Sequence, residues 1–167
     1  MDRETLRTTQ APLKERYQQA PEAAIITLRA EGRVGEDVTC SVETGRALVE
    51  AGLHPSAGGS GLSACSGDML LQALVACAGV TLSAVATSMG VPIDDARAVA
   101  EGELDARGTL GVAKDAPVGF KSIRLRWEID SDAEPGTLDK LLELTERYCV
   151  VYQTLTGGVP VSMSLEV

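Results

Sequence analysis

The sequence predicts an α+β domain, with antiparallel strands arranged around one long buried central helix. Three observations carry this. Residues 69–93 contain no charged side chain. Short β-rich segments cluster before and after that run instead of alternating with helices. A second, amphipathic helical pattern follows near the C-terminal end. At 167 residues the chain suits one compact domain. No internal linker divides it, so 1–167 is read as a single domain, with 1–22 as an N-terminal extension.

In chain order, Ala24–Ala30 ("AIITLRA") is short and β-branched and is bounded by "EGRVGED". Val38–Glu43 ("VTCSVE") alternates with period two, and the two together predict a hairpin. "TGRALVEAGLHP" allows a further short strand, and "SAGGSGLSA" is a Gly/Ser loop. The central helix comes next, with Ser66 as its expected N-cap and Asp68 in a first turn that favours a carboxylate. Gly90 and Pro92 close its far end. It would run about 23 residues, roughly 35 Å, with apolar or small residues almost all round, as in a helix covered on most sides. Ala98–Leu104 and Ser122–Asp130 read as strands. The second puts Ile123, Leu125, Trp127 and Ile129 on one face. An amphipathic helix over Leu138–Tyr148 then carries Leu138, Leu141, Leu142 and Leu144 on its buried side, with Cys149 at its end. "VPVSMSLEV" reads as a final strand.

The net charge of −9 and the lack of a basic cluster argue against nucleic-acid binding. The uncharged run is long enough to span a bilayer. Its flanks are acidic, however, it lacks Trp, Tyr or Lys anchors, and it holds Gln72, Thr81, Ser83, Thr87 and Ser88. It is therefore expected to be a core helix rather than a membrane span. The opening residues lack the apolar stretch of a secretory signal, so a cytoplasmic location is expected. There the four cysteines would be core thiols, metal ligands or redox-active groups rather than structural disulfides.

One histidine, His54, and no Cys-x-x-Cys give little to ligate a metal, and Glu101, Glu103 and Asp105 read as a solvated strand face. Redox chemistry remains. A free cysteine in an apolar run is ordinarily a small hydrophobe. Cys65 and Cys77, twelve residues apart, would lie about 18 Å apart on one helix, beyond the roughly 7 Å that a disulfide allows. Cys77 therefore finds a sulfur elsewhere or none. Cys149, at the end of the second helix, is the best candidate, and Cys40 reads as a core or edge residue of the hairpin.

"LLQALVACAGVTLSAVATSMGV" resembles the central helix of the OsmC/Ohr family, the osmotically inducible and organic hydroperoxide resistance proteins. "EGELDARGTLGV", "VGFKSIRLRWEID" and "LLELTERYCVVYQTL" resemble its later segments in the same order, so the resemblance covers about Ala24 to Val167. It implies an intertwined homodimer with active sites at the subunit interface. The implied activity is a thiol peroxidase acting on organic hydroperoxides, with no metal, haem or flavin cofactor, recycled by a dihydrolipoyl group or another dithiol. It further implies Cys77 as the peroxidatic thiol and Cys149 as the resolving thiol. Burial raises a thiol pKa, so a nearby cation is expected. The family uses an arginine from an early strand held by a glutamate near the helix start. Arg33 is the best match for the arginine and Arg46 the second. The glutamate position falls on Gly67, leaving Asp68 beside it, and Val150 follows Cys149 where the family commonly has proline. The rival expectations are a non-peroxidase small-molecule-binding or structural dimer with core thiols, and a sensor in which Cys65 reacts.

Overall fold

A computed structural model describes residues 2–20, 31–34, 39–43, 48–111 and 113–166. The elements are helix α1 (Arg3–Gln19), strands β1 (Glu31–Val34), β2 (Thr39–Glu43) and β3 (Leu48–Gly52), a 3-10 turn at Pro55–Ala57, and β4 (Ala64–Cys65). Helix α2 (Ser66–Met89), β5 (Asp95–Leu104), α3 (Ala106–Thr109), β6 (Phe120–Asp130), α4 (Pro135–Tyr148) and α5 (Val150–Gly157) complete them. This is the mixed helix-and-strand architecture expected. One sheet has the order β1-β2-β3-β4, antiparallel but for the short parallel β3–β4 pair; the other is the β5–β6 hairpin.

The hairpin expected near the N-terminus exists, but its first strand is Glu31–Val34, which the sequence reading took as a boundary; Gly32 sits opposite Val42 and Arg33 opposite Ser41. The expected strand over Ala24–Ala30 lies outside the described residues. β3 realises the further short strand, with Ala51 paired to Cys40 on one side and Ala64 on the other.

The N-cap of α2 falls one residue earlier than expected. Cys65 keeps an extended backbone (φ −79°, ψ 130°) because it pairs with Gly52, so Cys65 occupies the N-cap and Ser66 is the first helical residue. At the far end Gly90 takes the left-handed conformation (φ 71°), and Val91 N–H reaches back to Ala86 O at 3.0 Å, a helix stop that suits glycine. α2 is long and apolar enough to cross a membrane by length and composition, but here it forms the core. Leu74, Ala78, Leu82 and Ala86 recur every fourth residue and are buried, the period that places side chains in one stripe. Within one chain, burial is confined to that stripe, and Val80 on the opposite side is exposed. α1 lies against α2, with Arg3 close to Gly90 and Leu6 near Gly79 and Val80.

β6 alternates as its sequence does: Ile123, Leu125, Trp127 and Ile129 are half-buried, and the residues between them are exposed. On the outer side Arg126 pairs with Glu101 at 3.1 Å and Arg97 with Glu128 at 3.2 Å, while Arg124 and Ser122 bond Glu103. Those two partners hold the Glu103 carboxyl down at about 2. α4 starts at Pro135, earlier than expected, because proline suits the first helical position. Its Leu141 joins Leu82 and Ala86 in the core, edged by Trp127, Ile129 and Leu138.

Residues 159–166, expected as a final strand, pair with no strand among the described residues. Val161, Met163 and Leu165 are 93%, 99% and 86% exposed. A strand needs a partner edge for its amides, and no described edge of the same chain supplies one.

Leu141 is 0% exposed, so L141A should destabilise the fold by about 2–5 kcal/mol through lost burial and the cavity left behind. Exposed Leu62 is the control, and L62A should stay within about 0.5 kcal/mol. Denaturant unfolding measures both.

Candidate active site

α2 and α5 pack against each other, and their contact brings Cys77 and Cys149 together. Cys77 falls one residue before buried Ala78, at the edge of the stripe α2 presents to the core. Cys149 ends α4 and serves as the N-cap of α5. Its extended backbone (φ −73°, ψ 109°) breaks what would otherwise be one continuous helix. Cys149 is 1% exposed and thus seated in the core.

Both thiols are free, and their environments push them in opposite directions. For Cys77 the largest influence is burial, which opposes ionisation. The Val151 amide, the Cys149 thiol and the Val150 amide outweigh it by bonding to the sulfur, so the Cys77 pKa lies below that of an ordinary thiol. Thr81 adds least to the sulfur, because its hydroxyl donates to the Cys77 carbonyl at 2.8 Å and has one proton to give. For Cys149, burial again comes first and raises the pKa; the nearby Cys77 sulfur raises it further, against the Tyr152 amide. The pair is thus arranged as thiolate acceptor and thiol donor. The first amides of α5, at a helix end that favours negative charge, act on the Cys77 sulfur in the same direction as the expected cation.

Of the remaining predicted site residues, Asp68 alone is described with its side chain. Arg33 is on β1 opposite Ser41, and its side chain, like all of Arg46, lies outside the described residues. Asp68 is exposed in the first turn of α2, nine positions before Cys77, about 14 Å along the axis. It borders a separate cavity of about 420 Å³ lined also by His54, Cys65, Gly67 and Phe120. In that cavity His54 Nδ1 lies 2.7 Å from Ser56 Oγ and accepts from the Ser56 amide. Phe120 lies across two glycines. A Cβ at Gly67 would come within 3.4 Å of its ring, and one at Gly102 within 2.6 Å. The ring leaves no room for a side chain at Gly102 and packs beside the Gly67 position, where the expected glutamate would stand. Sequence reasoning missed the Val150 and Val151 amides, because a main-chain donor leaves no residue-type signal. Thr81 was visible only as one of several hydroxyls in the apolar run.

Residues 58–164 match the family model described as OsmC-like protein. Among solved structures, an OsmC-like protein from Mycoplasma pneumoniae is similar with a TM-score of 0.68 and 18% identity, covering 79% of this chain and 89% of that one. An organic hydroperoxide resistance protein from Elizabethkingia anophelis gives a TM-score of 0.65 and 16% identity over 80% and 91%. A protein from Legionella pneumophila described as an organic hydroperoxide resistance protein OsmC gives 0.63 and 18% over 80% and 92%. At these identities the likeness is one of fold. No curated protein matches the chain in sequence.

The opposed shifts set an order of reactivity. Cys77 should be alkylated at a lower pH than an ordinary thiol and lose reactivity as the pH falls through its lowered midpoint. Cys149, raised and buried, should lag at every pH and gain only as the pH rises. Peptide-level mass spectrometry after timed iodoacetamide labelling reads both.

Proposed function

The chain belongs to the OsmC-like protein family, and we propose that it is a thiol peroxidase that reduces organic hydroperoxides through Cys77 and Cys149. The observation that carries this reading is the asymmetric thiol pair, one sulfur favoured as thiolate and the other held as a thiol beside it. Relatives named as organic hydroperoxide resistance proteins support the substrate class.

In the proposed cycle the Cys77 thiolate attacks the terminal oxygen of ROOH. The O–O bond breaks, an S–O bond forms, and the alkoxide leaves and takes a proton to give ROH. The resulting Cys77 sulfenic acid condenses with the Cys149 thiol, releasing water and forming the Cys77–Cys149 disulfide. A dihydrolipoyl group or another dithiol then reduces that disulfide by exchange. No metal or organic cofactor enters these steps. Arg33, or Arg46 in its place, is the proposed cation that stabilises the Cys77 thiolate, with Asp68 as the proposed carboxylate to steady it; R33Q and D68N test this part separately from the thiols, and unchanged thiol reactivity in both would reject it. The cytoplasm is the proposed compartment.

The proposed assembly is a homodimer. Val161, Met163 and Leu165 alternate with Ser162, Ser164 and Glu166, the period of a strand with one face to cover, and they are exposed here. Deleting residues 159–167 should convert a dimer to a monomer in sedimentation velocity; an unchanged sedimentation coefficient would reject that segment as the interface.

The rival reading, a binding or structural dimer with core thiols, is favoured by one observation: Phe120 packs beside Gly67, where a clamping carboxylate would be expected. Hydroperoxide treatment decides between them. The peroxidase reading expects a Cys77–Cys149 disulfide in the parent protein, no turnover in C77S, and a Cys77 sulfenate trapped by dimedone in C149S. A parent protein that stays reduced and inactive toward several alkyl hydroperoxides with dihydrolipoate present sinks the reading.

A further inference from the structure

Strict alternation along β6 would put Lys121, not Phe120, on the half-buried face with Ile123. The structure does the opposite: Phe120 is half-buried, and Lys121 and Ser122 are both exposed. The cause is a bulge. Glu103 pairs with Ser122 and Leu104 with Phe120, so Lys121 has no partner in the ladder. A bulge re-aims the side chain next to it. Here it lays the Phe120 ring against Gly102, where a Cβ would come within 2.6 Å of the ring, and beside Gly67. The ring thereby becomes one wall of the cavity of about 420 Å³ at the start of α2, a size that suits a small molecule. Leu71 lines it too, with Leu53 and Leu104, which leave 41% and 46% of their surface to water. Asp68 is the only carboxylate in the lining, which holds no lysine or arginine. Its side chain makes no hydrogen bond or ion pair with another described residue. His54 keeps its Nδ1 for the Ser56 amide.

We propose that this cavity is a binding site for a small organic amine, an ammonium group carried on an aromatic or aliphatic body. The ammonium pairs with Asp68, and the hydrocarbon lies against Phe120 and covers Leu53 and Leu104. A single negative charge with no cation in the lining favours a monocation and disfavours a carboxylate. An exposed ion pair alone is weak, so the apolar walls supply most of the affinity, and an aromatic face adds attraction for a cation. The site is separate from the thiol pair, since neither Cys77 nor Cys149 lines it. The inference therefore does not depend on peroxide turnover at Cys77. Cys65 does line the cavity, with its Sγ 3.6 Å from where a Gly67 Cβ would stand, so its thiol reports occupancy.

The experiment uses three probes of one shape and different charge: 2-phenylethylamine, 2-phenylethanol and phenylacetate. Equilibrium dialysis with the full chain measures their affinity. Timed iodoacetamide labelling of Cys65, with Cys77 in the same sample, locates the bound probe. The amine should bind saturably in the millimolar range, the scale for so small a molecule. It should slow the labelling of Cys65 and leave that of Cys77 unchanged. The alcohol should bind about tenfold more weakly, the scale of one charge-assisted bond, and phenylacetate more weakly again. D68N should bring the amine to the level of the alcohol. L104S, at a half-exposed position that carries little of the fold, should weaken amine and alcohol alike. Phenylacetate binding as tightly as the amine overturns the proposal, as does an amine affinity unchanged in D68N. Absence of saturable amine binding, or binding that leaves Cys65 labelled at its unliganded rate, overturns it too. An amine that slows Cys77 in place of Cys65 would assign the Asp68 carboxylate to the thiol site and equally overturn it.

Discussion

The close packing of α2 on α4 and on the β5–β6 hairpin is the contact from which the rest of the molecule follows. α2 carries a buried residue every fourth position, Leu74, Ala78, Leu82 and Ala86, two of them alanines. Small side chains at 78 and 86 let neighbouring elements approach, and Leu141 packs with Leu82 and Ala86. α4 is thereby fixed in position along α2, and its last residue arrives beside the middle of that helix. Cys149 is brought to Cys77 by core packing. The price of that arrival is a backbone break at the end of α4, and the break turns the start of α5 toward the sulfur.

Two opposing effects then meet at one atom. Burial disfavours charge on Cys77, while the α5 amides and the Cys149 thiol favour it, and the donors prevail. At Cys149 the same burial acts without enough donors to offset it, and the neighbouring sulfur adds to the rise. A difference of a few hydrogen bonds therefore separates two chemically identical groups in contact. That separation is what the proposed roles of nucleophile and proton-bearing partner require.

Much of this was legible in the sequence, for physical reasons that can be named. The long helix announced itself by an uncharged run closed by Gly90, and β6 by strict alternation from Ile123 to Ile129. Helix length excluded Cys65 as a partner of Cys77; Cys149 was the best candidate by its place at the end of the second helix, and the family resemblance implied the pair. The misplaced features share a cause, namely dependence on a neighbour that the local sequence does not contain. Cys65 became the cap of α2 because Gly52 holds it extended. Glu31–Val34 became a strand because β2 offers an edge. Residues 159–166 have the pattern of a strand but no edge among the described residues of their own chain. Phe120 over Gly67 and Gly102 was likewise invisible, since only the fold brings those three positions together.

On the proposed peroxidase reading, the burial of Cys149 bears on how the site would survive its own oxidant. A thiol that is 1% exposed and shifted toward its protonated form is shielded from attack from solution, so oxidation of the pair would enter at Cys77. The higher, irreversible sulfur acids form when a sulfenate waits long enough to meet a second oxidant molecule. A thiol already seated against the sulfenate competes with that encounter at an advantage that oxidant concentration does not set. Shielding one sulfur thus guards the other, and the packing that orders the reaction also limits its damage when peroxide is abundant.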